Sequence, residues 1–170
     1  MKFLALGVLL LAAPLFGQAG QDPWKALAFL EGTWEANTLG GTAGAKGSAT
    51  YTFQPQLEHH VLARLSGSYA DCKGPVTFDC QHGDLLYIYQ DAANQPLKAI
   101  YFDNEGHVIH YDVSSPEPNV AVFLSDAAVS GSQFRLIYEL KNGSMSGKFQ
   151  MRTPGQNEWK SYLEWSGPKR

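Results

Sequence analysis

The five histidines of this chain are the side chains most often used in catalysis and metal binding. His59 and His60 are adjacent, and adjacent strand residues point to opposite faces, so one ion cannot easily take both imidazoles. His107 and His110, three residues apart, are split across a strand for the same reason. A metal site would need one member of each pair together with His82. We therefore predict no metal and keep this combination as an alternative.

Other catalytic patterns give little support to an enzyme. The sequence has no Gly-x-Ser-x-Gly element, which would place a serine nucleophile on a tight turn. The glycine-rich segment 40–47 lacks the Gly-Lys-Ser/Thr of a phosphate loop, and we interpret it as a hairpin tip or barrel portal. His110 with Asp103 or Asp112 is the pair suited to acid–base catalysis. We predict that the protein is not an enzyme.

Cys72 and Cys80 are the two cysteines of the chain. In an oxidising compartment a disulfide between them is the first interpretation. The loop-entropy model gives roughly 2.6 kcal/mol for a ring of this size. Two unlinked thiols are the alternative, and a metal site is less favoured because the sequence has neither CxxC spacing nor a second cysteine pair.

Residues 1–19 have the pattern of a secretory signal peptide. Lys2 is followed by an apolar run and then by small residues, with cleavage expected after Ala19. The apolar run is shorter than the ~20 residues of a spanning helix, and no later stretch is longer or more apolar. We predict that residues 20–170 form one domain that is secreted or periplasmic and has no membrane span.

Charge and composition exclude some partners. The formal net charge of −3 is spread along the chain without blocks. No nucleic-acid partner is predicted, because the chain lacks the basic patch that neutralises phosphates. Aromatic residues make up 12% of the chain, which suits either a large internal apolar surface or an ordinary packed core.

Ten short runs of strand-forming residues follow one another between Thr33 and Trp165. Asn142-Gly143 is the strongest hairpin signal, and the other separators are also short, which favours antiparallel pairing of neighbours. Residues 23–31 have helical spacing. The sequence predicts an all-β fold, a single up-and-down antiparallel barrel of about ten strands with a short N-terminal plug helix. The predicted strands are 33–38, 48–54, 58–67, 84–90, 97–103, 107–113, 119–125, 132–141, 144–152 and 158–166.

Alternation of side chains assigns faces in the last three strands. The residues predicted to point inward there are Phe134, Leu136, Tyr138, Leu140, Met145, Gly147, Phe149, Met151, Trp159, Leu163 and Trp165. The strands 84–90, 97–103 and 107–113 are apolar on both faces. A loop or a second subunit is therefore expected to cover their outside.

Residues 27–34 resemble a segment of the calycin-like barrels, and more closely of the nitrobindin-type and lipocalin-like proteins of unassigned function. The segment is similar to their short plug helix running into a Gly-x-Trp first strand, here Gly32 to Trp34. Together with the strand count, the resemblance covers nearly the whole mature chain. It implies one closed barrel, Trp34 at its floor and an apolar cavity that opens at the other end.

The chain departs from two ligand sites of such barrels. Haem-binding members use a late-strand histidine, and here no histidine follows His110, so haem is a minor alternative and no cofactor is predicted. The Arg-x-Tyr carboxylate anchor of fatty-acid-binding barrels is replaced in the segment 160–162. A ligand carboxylate would have to meet Arg64 or Arg135, and alternation puts Arg135 outside.

The predicted function is binding of a small apolar or amphipathic molecule in the lumen, where burial removes ligand surface from water. The alternative is a non-enzymatic interaction module with a packed lumen, which pairs with a second copy through residues 84–113. The predicted wall residues are Trp34, Tyr51, Phe53, Tyr87, Phe102, Tyr138, Phe149 and Trp165, with His110 as a polar handle.

Overall fold

The computed structural model of the protein describes residues 22–41, 47–66, 82–126 and 131–170. Within these ranges the chain forms a closed antiparallel barrel of ten strands preceded by one short helix, which confirms the predicted fold class. The predicted signal peptide and both cysteines lie outside the described residues, so cleavage and the disulfide stay predictions. No helix in the described ranges is long and apolar enough to cross a membrane.

The barrel has the predicted up-and-down order. The helix α1 spans Pro23–Leu27 and continues as a 3-10 turn, Ala28–Leu30. Each strand pairs with the next in the chain, and pairing of the first with the last closes the barrel. The strands β1 to β10 are Gly32–Gly40, Ser48–Gln56, Val61–Ser66, Asp84–Tyr89, Lys98–Asp103, Val108–Ser114, Val120–Ser125, Gln133–Lys141, Ser144–Arg152 and Lys160–Pro168.

Two turns show how local backbone preference sets strand ends. Asn142 and Gly143 both have positive φ, 52° and 77°, as the predicted primed hairpin turn requires. The turn before β3 differs from the prediction, because residues 57–59 have φ between 49° and 68°. Left-handed backbone cannot continue a strand, so β3 begins at Val61 and not at residue 58.

The helix is tied to the end of the barrel at which β1 begins. The Asp22 carboxylate accepts a hydrogen bond from the backbone N–H of Trp24 at 3.1 Å, and Pro23 follows at a position where a missing N–H costs nothing. Leu30 is fully buried in the barrel core. Trp34 donates from its Nε1 to the Leu30 carbonyl at 2.7 Å. This hydrogen bond couples the helix to the first strand.

Aromatic rings fill the helix end of the lumen. The ring of Tyr138 meets Phe53 edge-on at a centre-to-centre distance of 5.3 Å, Phe123 at 6.1 Å and Trp165 at 5.9 Å. Edge-to-face pairs of this kind add to the stabilisation that comes from burial alone. Tyr138 and Phe123 have no exposed surface. Among the described residues, the cavity in the lumen therefore lies toward the other end of the barrel, with Trp165 at its base.

A β-bulge in β10 reverses the predicted face of one residue. The pairing of β10 with β9 skips Tyr162, which is the extra residue of the bulge. An extra residue inverts the alternation on its N-terminal side. The prediction that Trp159 points inward is therefore wrong. Its ring centre lies 4.3 Å and 4.7 Å from the guanidinium carbons of Arg135 and Arg152, outside the lumen.

Candidate functional site

A cavity of about 380 Å³ opens at the end of the barrel opposite the helix. The antiparallel strand order brings the end of β3, the start of β4 and the end of β5 to this mouth. One wall, from β8 to β10, is apolar and includes Phe134, Leu136, Phe149, Met151, Leu163 and Trp165. The opposite wall is polar and includes Arg64, Ser66, His82, Asp84, Tyr101 and Asp103.

The apolar wall is built from packed rings. Phe134 and Phe149 stack with ring centres 5.6 Å apart and planes inclined by 11°. Tyr162, brought to the wall by the bulge, meets Phe149 edge-on at 6.1 Å. The indole of Trp165 lies directly over Gly147, where a Cβ would come 2.1 Å from the indole Cε2. Only glycine at this position leaves the ring in place.

Arg64 and Asp84 form a buried ion pair in the polar wall. The Arg64 Nη2 lies 2.8 Å from each carboxylate oxygen, and the two side chains are 8% and 6% exposed. The Ser66 hydroxyl donates to Asp84 at 3.1 Å. The guanidinium carbon also lies 5.7 Å and 5.9 Å from the ring centres of Tyr51 and Tyr138. The charge of Arg64 is thus matched within the protein, and a ligand carboxylate would compete with Asp84 for it.

His82 connects this ion pair to the rim of the cavity. Its Nε2 lies 3.1 Å from the Tyr101 hydroxyl and 3.6 Å from Asp84 Oδ2, and its Nδ1 lies 3.2 Å from Glu105 Oε1. The Tyr101 hydroxyl donates to Asp103 Oδ2 at 3.3 Å. A continuous chain of polar contacts therefore runs from the buried ion pair to the mouth.

Hydrogen bonds from the turn after β5 hold Asp103. The backbone N–H groups of Glu105 and His107 donate to Asp103 Oδ1 at 3.0 Å and 2.9 Å. The His107 Nδ1 lies 2.8 Å from Asp103 Oδ2. Both carboxylate oxygens of Asp103 are therefore fixed at the rim, while the His107 side chain remains 62% exposed.

These contacts shift the pKa values of the side chains in the polar wall. Burial raises the pKa of the Asp84 carboxyl, but the charge of Arg64 and the His82 imidazole outweigh it, and the net pKa is below 3.8. The Asp84 carboxylate, 3.6 Å from Nε2, and the Glu105 carboxylate raise the pKa of His82 above 6.5, against the opposing effect of burial. Burial also raises the pKa of Asp103, but hydrogen bonds from His107 reverse the shift. Burial raises the pKa of Tyr101. The wall therefore holds ionised carboxylates and a neutral tyrosine.

The contact between His82 and Asp84 predicts a pH-dependent stability. Because the folded-state pKa of His82 is above its unfolded value, its stabilisation is complete below pH 6.5 and is lost as the pH rises through the folded pKa. We expect the free energy of unfolding, from urea denaturation between about pH 5 and about pH 8, to fall more with pH in the wild type than in His82→Gln. Replacement of the exposed His110 by glutamine is the matched control for removal of a histidine. Identical profiles for wild type and His82→Gln would refute the coupling.

The closed ten-stranded barrel with its one short helix supports the calycin-like barrel fold in general. No protein-family model matches the chain, and no curated protein matches it. Function is therefore inferred from the barrel and its cavity.

The nine residues predicted to contact a ligand fall into three places. Three line the cavity: Tyr51, Phe149 and Trp165. Three lie buried in the core and outside the cavity lining: Trp34, Phe53 and Tyr138. Three lie on the outer face of the barrel: Tyr87, Phe102 and His110.

Strand register explains the outer position of the last three. Tyr87 and His110 are cross-strand neighbours of Ile100, on the face opposite the buried residues of β4. The sequence does not separate the faces here because both are apolar. Their expected place in the lumen is therefore corrected. The structure also separates His110, exposed outside, from Asp103, which lines the cavity, so this candidate acid–base pair is not assembled. Asp112, the other candidate partner, lies with His110 on the exposed face of β6.

The structure does not place the histidines as the three-histidine metal site considered from the sequence would require. His59 lies at the helix end, where it lines a small pocket together with Trp24, in a turn with positive φ. His82 and His107 both line the cavity at the other end. The three-histidine combination is therefore not brought together, whereas two histidines share the rim with carboxylates.

The buried ion pair of Arg64 and Asp84 is not among the sites predicted from the sequence. Arg64 and Asp84 are 20 residues apart and meet only through the pairing of β3 with β4. A signal is nevertheless present: each is the one charged residue of a short strand that is otherwise apolar or neutral. Charged residues are rarely buried unless they are paired. Two isolated charges of opposite sign in neighbouring strands therefore predict a buried pair.

Proposed function

We propose that this protein is an exported, non-enzymatic barrel that binds a small amphipathic molecule in its lumen. The observation that carries the proposal is the cavity of about 380 Å³, with an apolar wall on β8 to β10 and a polar wall on β3 to β5. Ligand cavities in proteins measure about 300–1,000 Å³ and combine apolar lining with a few polar groups. The volume suits one small molecule, held in the part of the lumen that the aromatic rings leave free.

The apolar wall and the polar wall contribute to binding in different ways. The stacked rings of Phe134 and Phe149 remove apolar ligand surface from water, which is worth ~25 cal/mol per Å². The hydroxyl of Tyr101 and the imidazole of His82 offer hydrogen bonds to a polar group at the mouth. Since the charge of Arg64 is matched by Asp84, the polar wall favours a hydrogen-bonding head over a lone carboxylate.

The strand count and residues 27–34 also support a nitrobindin-type barrel as the finer family assignment. Export outside the cytoplasm is supported by the apolar leader in residues 1–19. The nitrobindin-type assignment and the export are parts of the proposal that the binding experiment below does not test.

Binding of the neutral fluorophore N-phenyl-1-naphthylamine tests the carrier function. We expect a fluorescence increase that saturates at one probe per chain. Ala49 lines the cavity, so Ala49→Phe fills it and should weaken binding by at least about tenfold, since displacing ligand volume forfeits its burial. Ala93→Phe adds the same ring in an exposed turn and should bind like the wild type. Circular dichroism checks that both variants fold.

Two outcomes would overturn the carrier function. Either the wild type fails to bind the probe, or Ala49→Phe binds it as tightly as the wild type, which places the probe outside the cavity. Native mass spectrometry of protein purified from its own source would then be expected to show no retained small molecule.

An apolar row on the outer face of the barrel supports a second candidate function, in which the protein is an interaction module that pairs with a second copy of itself. Leu65, Leu85, Phe102 and Val108 are successive cross-strand neighbours on the outer face of β3 to β6. Leu65 is 47% exposed and Val108 is 55% exposed. An apolar row of this kind is typical of a contact surface. If two copies pair through this row, light scattering should give twice the mass of one chain.

A further inference from the structure

The rim of the cavity brings an imidazole and two carboxylates together. His82 precedes β4, Asp103 ends β5 and Glu105 lies in the turn that follows. One donor atom from each of the three lies within 4.8 Å of the other two. Nitrogen and oxygen donors in this combination are the ligand types that bind Zn²⁺ and related divalent ions.

The hydrogen bonds behind His82 orient its ring. An ionised Asp103 only accepts, so the Tyr101 hydroxyl donates to it at 3.3 Å. The Tyr101 oxygen then accepts from the His82 Nε2–H, 3.1 Å away. Nδ1 is therefore the nitrogen directed at Glu105 Oε1, at 3.2 Å. Loss of the proton from Nδ1 leaves a lone pair that faces the Glu105 carboxylate, and a divalent cation can then bind between the two groups.

We propose that His82, Asp103 and Glu105 form a site for a divalent transition-metal ion, with Zn²⁺ as the reference metal. Zinc bonds nitrogen and oxygen at about 2.0–2.2 Å, so neighbouring donors of a tetrahedral site lie about 3.3–3.6 Å apart. The distance of 3.2 Å between His82 Nδ1 and Glu105 Oε1 is close to this value. Glu105 is 41% exposed, so its side chain can adjust toward Asp103.

The groups around these ligands have the outer contacts typical of metal sites. Buried Asp84 lies 3.6 Å from His82 Nε2, behind the ring. The backbone N–H groups of Glu105 and His107 hold Asp103 Oδ1, which leaves Oδ2 to the side-chain contacts with Tyr101 and His107. The His107 Nδ1 lies 2.8 Å from that Oδ2 and orients it. We therefore assign His107 as a positioning residue.

Three protein ligands leave a coordination position open, as in catalytic and not in structural zinc sites. Because all three residues line the cavity, a water molecule or a donor atom of a molecule in the cavity can occupy this position. The metal site stands on the geometry of the rim alone. Binding of a neutral apolar probe does not require it, so each proposal can fail without the other.

Titration with ZnCl₂ by isothermal calorimetry, on the full chain without a histidine tag, tests the site. We expect one ion per chain. Glu105→Gln, a near-isosteric change of a partly exposed side chain, should weaken binding by more than about 100-fold, and His82→Gln should do the same. His107→Gln, which removes an orienting contact, should weaken it by about 10–100-fold. Loading with Co²⁺ should give an absorption spectrum of low-symmetry coordination that the Glu105→Gln protein does not show.

His110→Gln is the matched control, since this histidine is exposed on the outer face, and it should bind zinc like the wild type. Circular dichroism should show that Glu105→Gln folds, so that its loss of zinc is a loss of ligand. Wild-type affinity in both Glu105→Gln and His82→Gln would overturn the proposal, because the ion would then bind elsewhere. Absence of any one-to-one binding in the wild type would overturn it as well.

Discussion

Replacing Asp84 with leucine is expected to lower the free energy of unfolding by about 3–5 kcal/mol, because it leaves the guanidinium of Arg64 buried without its carboxylate. The Arg64 side chain is 8% exposed, and Nη2 lies 2.8 Å from both carboxylate oxygens. The mouth of the cavity admits some solvent to this wall, which favours the lower end of the range. Urea denaturation followed by tryptophan fluorescence measures the change.

The double variant Arg64→Met/Asp84→Leu separates loss of the pair from loss of packing. Two apolar side chains in place of a buried ion pair often restore stability, since neither charge of the pair then remains out of water. We expect the double variant to recover most of the loss. Glu35→Gln removes the exposed contact with Arg170 and should change stability by less than about 1 kcal/mol. A double variant as unstable as Asp84→Leu would show that loss of the carboxylate beside Arg64 is not the cause.

The barrel could be predicted from the sequence because its strands alternate clearly where one face meets water. Phe134 and Leu136 point inward while Arg135 between them points outward, as the period-2 pattern indicates. Short turns such as Asn142-Gly143 then leave neighbour-to-neighbour pairing as the simplest topology. The turn residues and the alternation of apolar and polar residues agree over most of the chain. The strand order can therefore be predicted from them.

The cavity could be predicted only in part, because it depends on register and on local irregularity. Both faces of β4 to β6 are apolar, so a one-residue ambiguity puts Phe102 inside the lumen when it lies outside. The bulge at Tyr162 brings that ring to the apolar wall and turns Trp159 away. A β-bulge cannot be predicted reliably from a single sequence. The polar wall joins residues of three strands, and only the closed barrel shows that they meet.

Trp34→Ala is expected to lower the free energy of unfolding by about 3–5 kcal/mol, the usual cost of deleting a large buried aromatic side chain. Trp34 is 2% exposed, packs in the core and donates to the Leu30 carbonyl at 2.7 Å. Trp34→Phe keeps most of the ring but leaves that carbonyl without its donor, so we expect a loss of about 1–3 kcal/mol. Trp159→Phe changes a tryptophan outside the lumen and should cost less than about 1 kcal/mol.

The same variants decide whether Trp34 is a wall residue or the floor of the barrel. Trp34 does not line the cavity, whereas Phe149 does, so Trp34→Phe should bind N-phenyl-1-naphthylamine like the wild type and Phe149→Ala should bind it more weakly. Weaker probe binding by folded Trp34→Phe would place the indole in the binding site, as the sequence predicts. Unchanged binding with reduced stability is the result expected of a residue that couples the plug helix to β1 and supports the cavity from below.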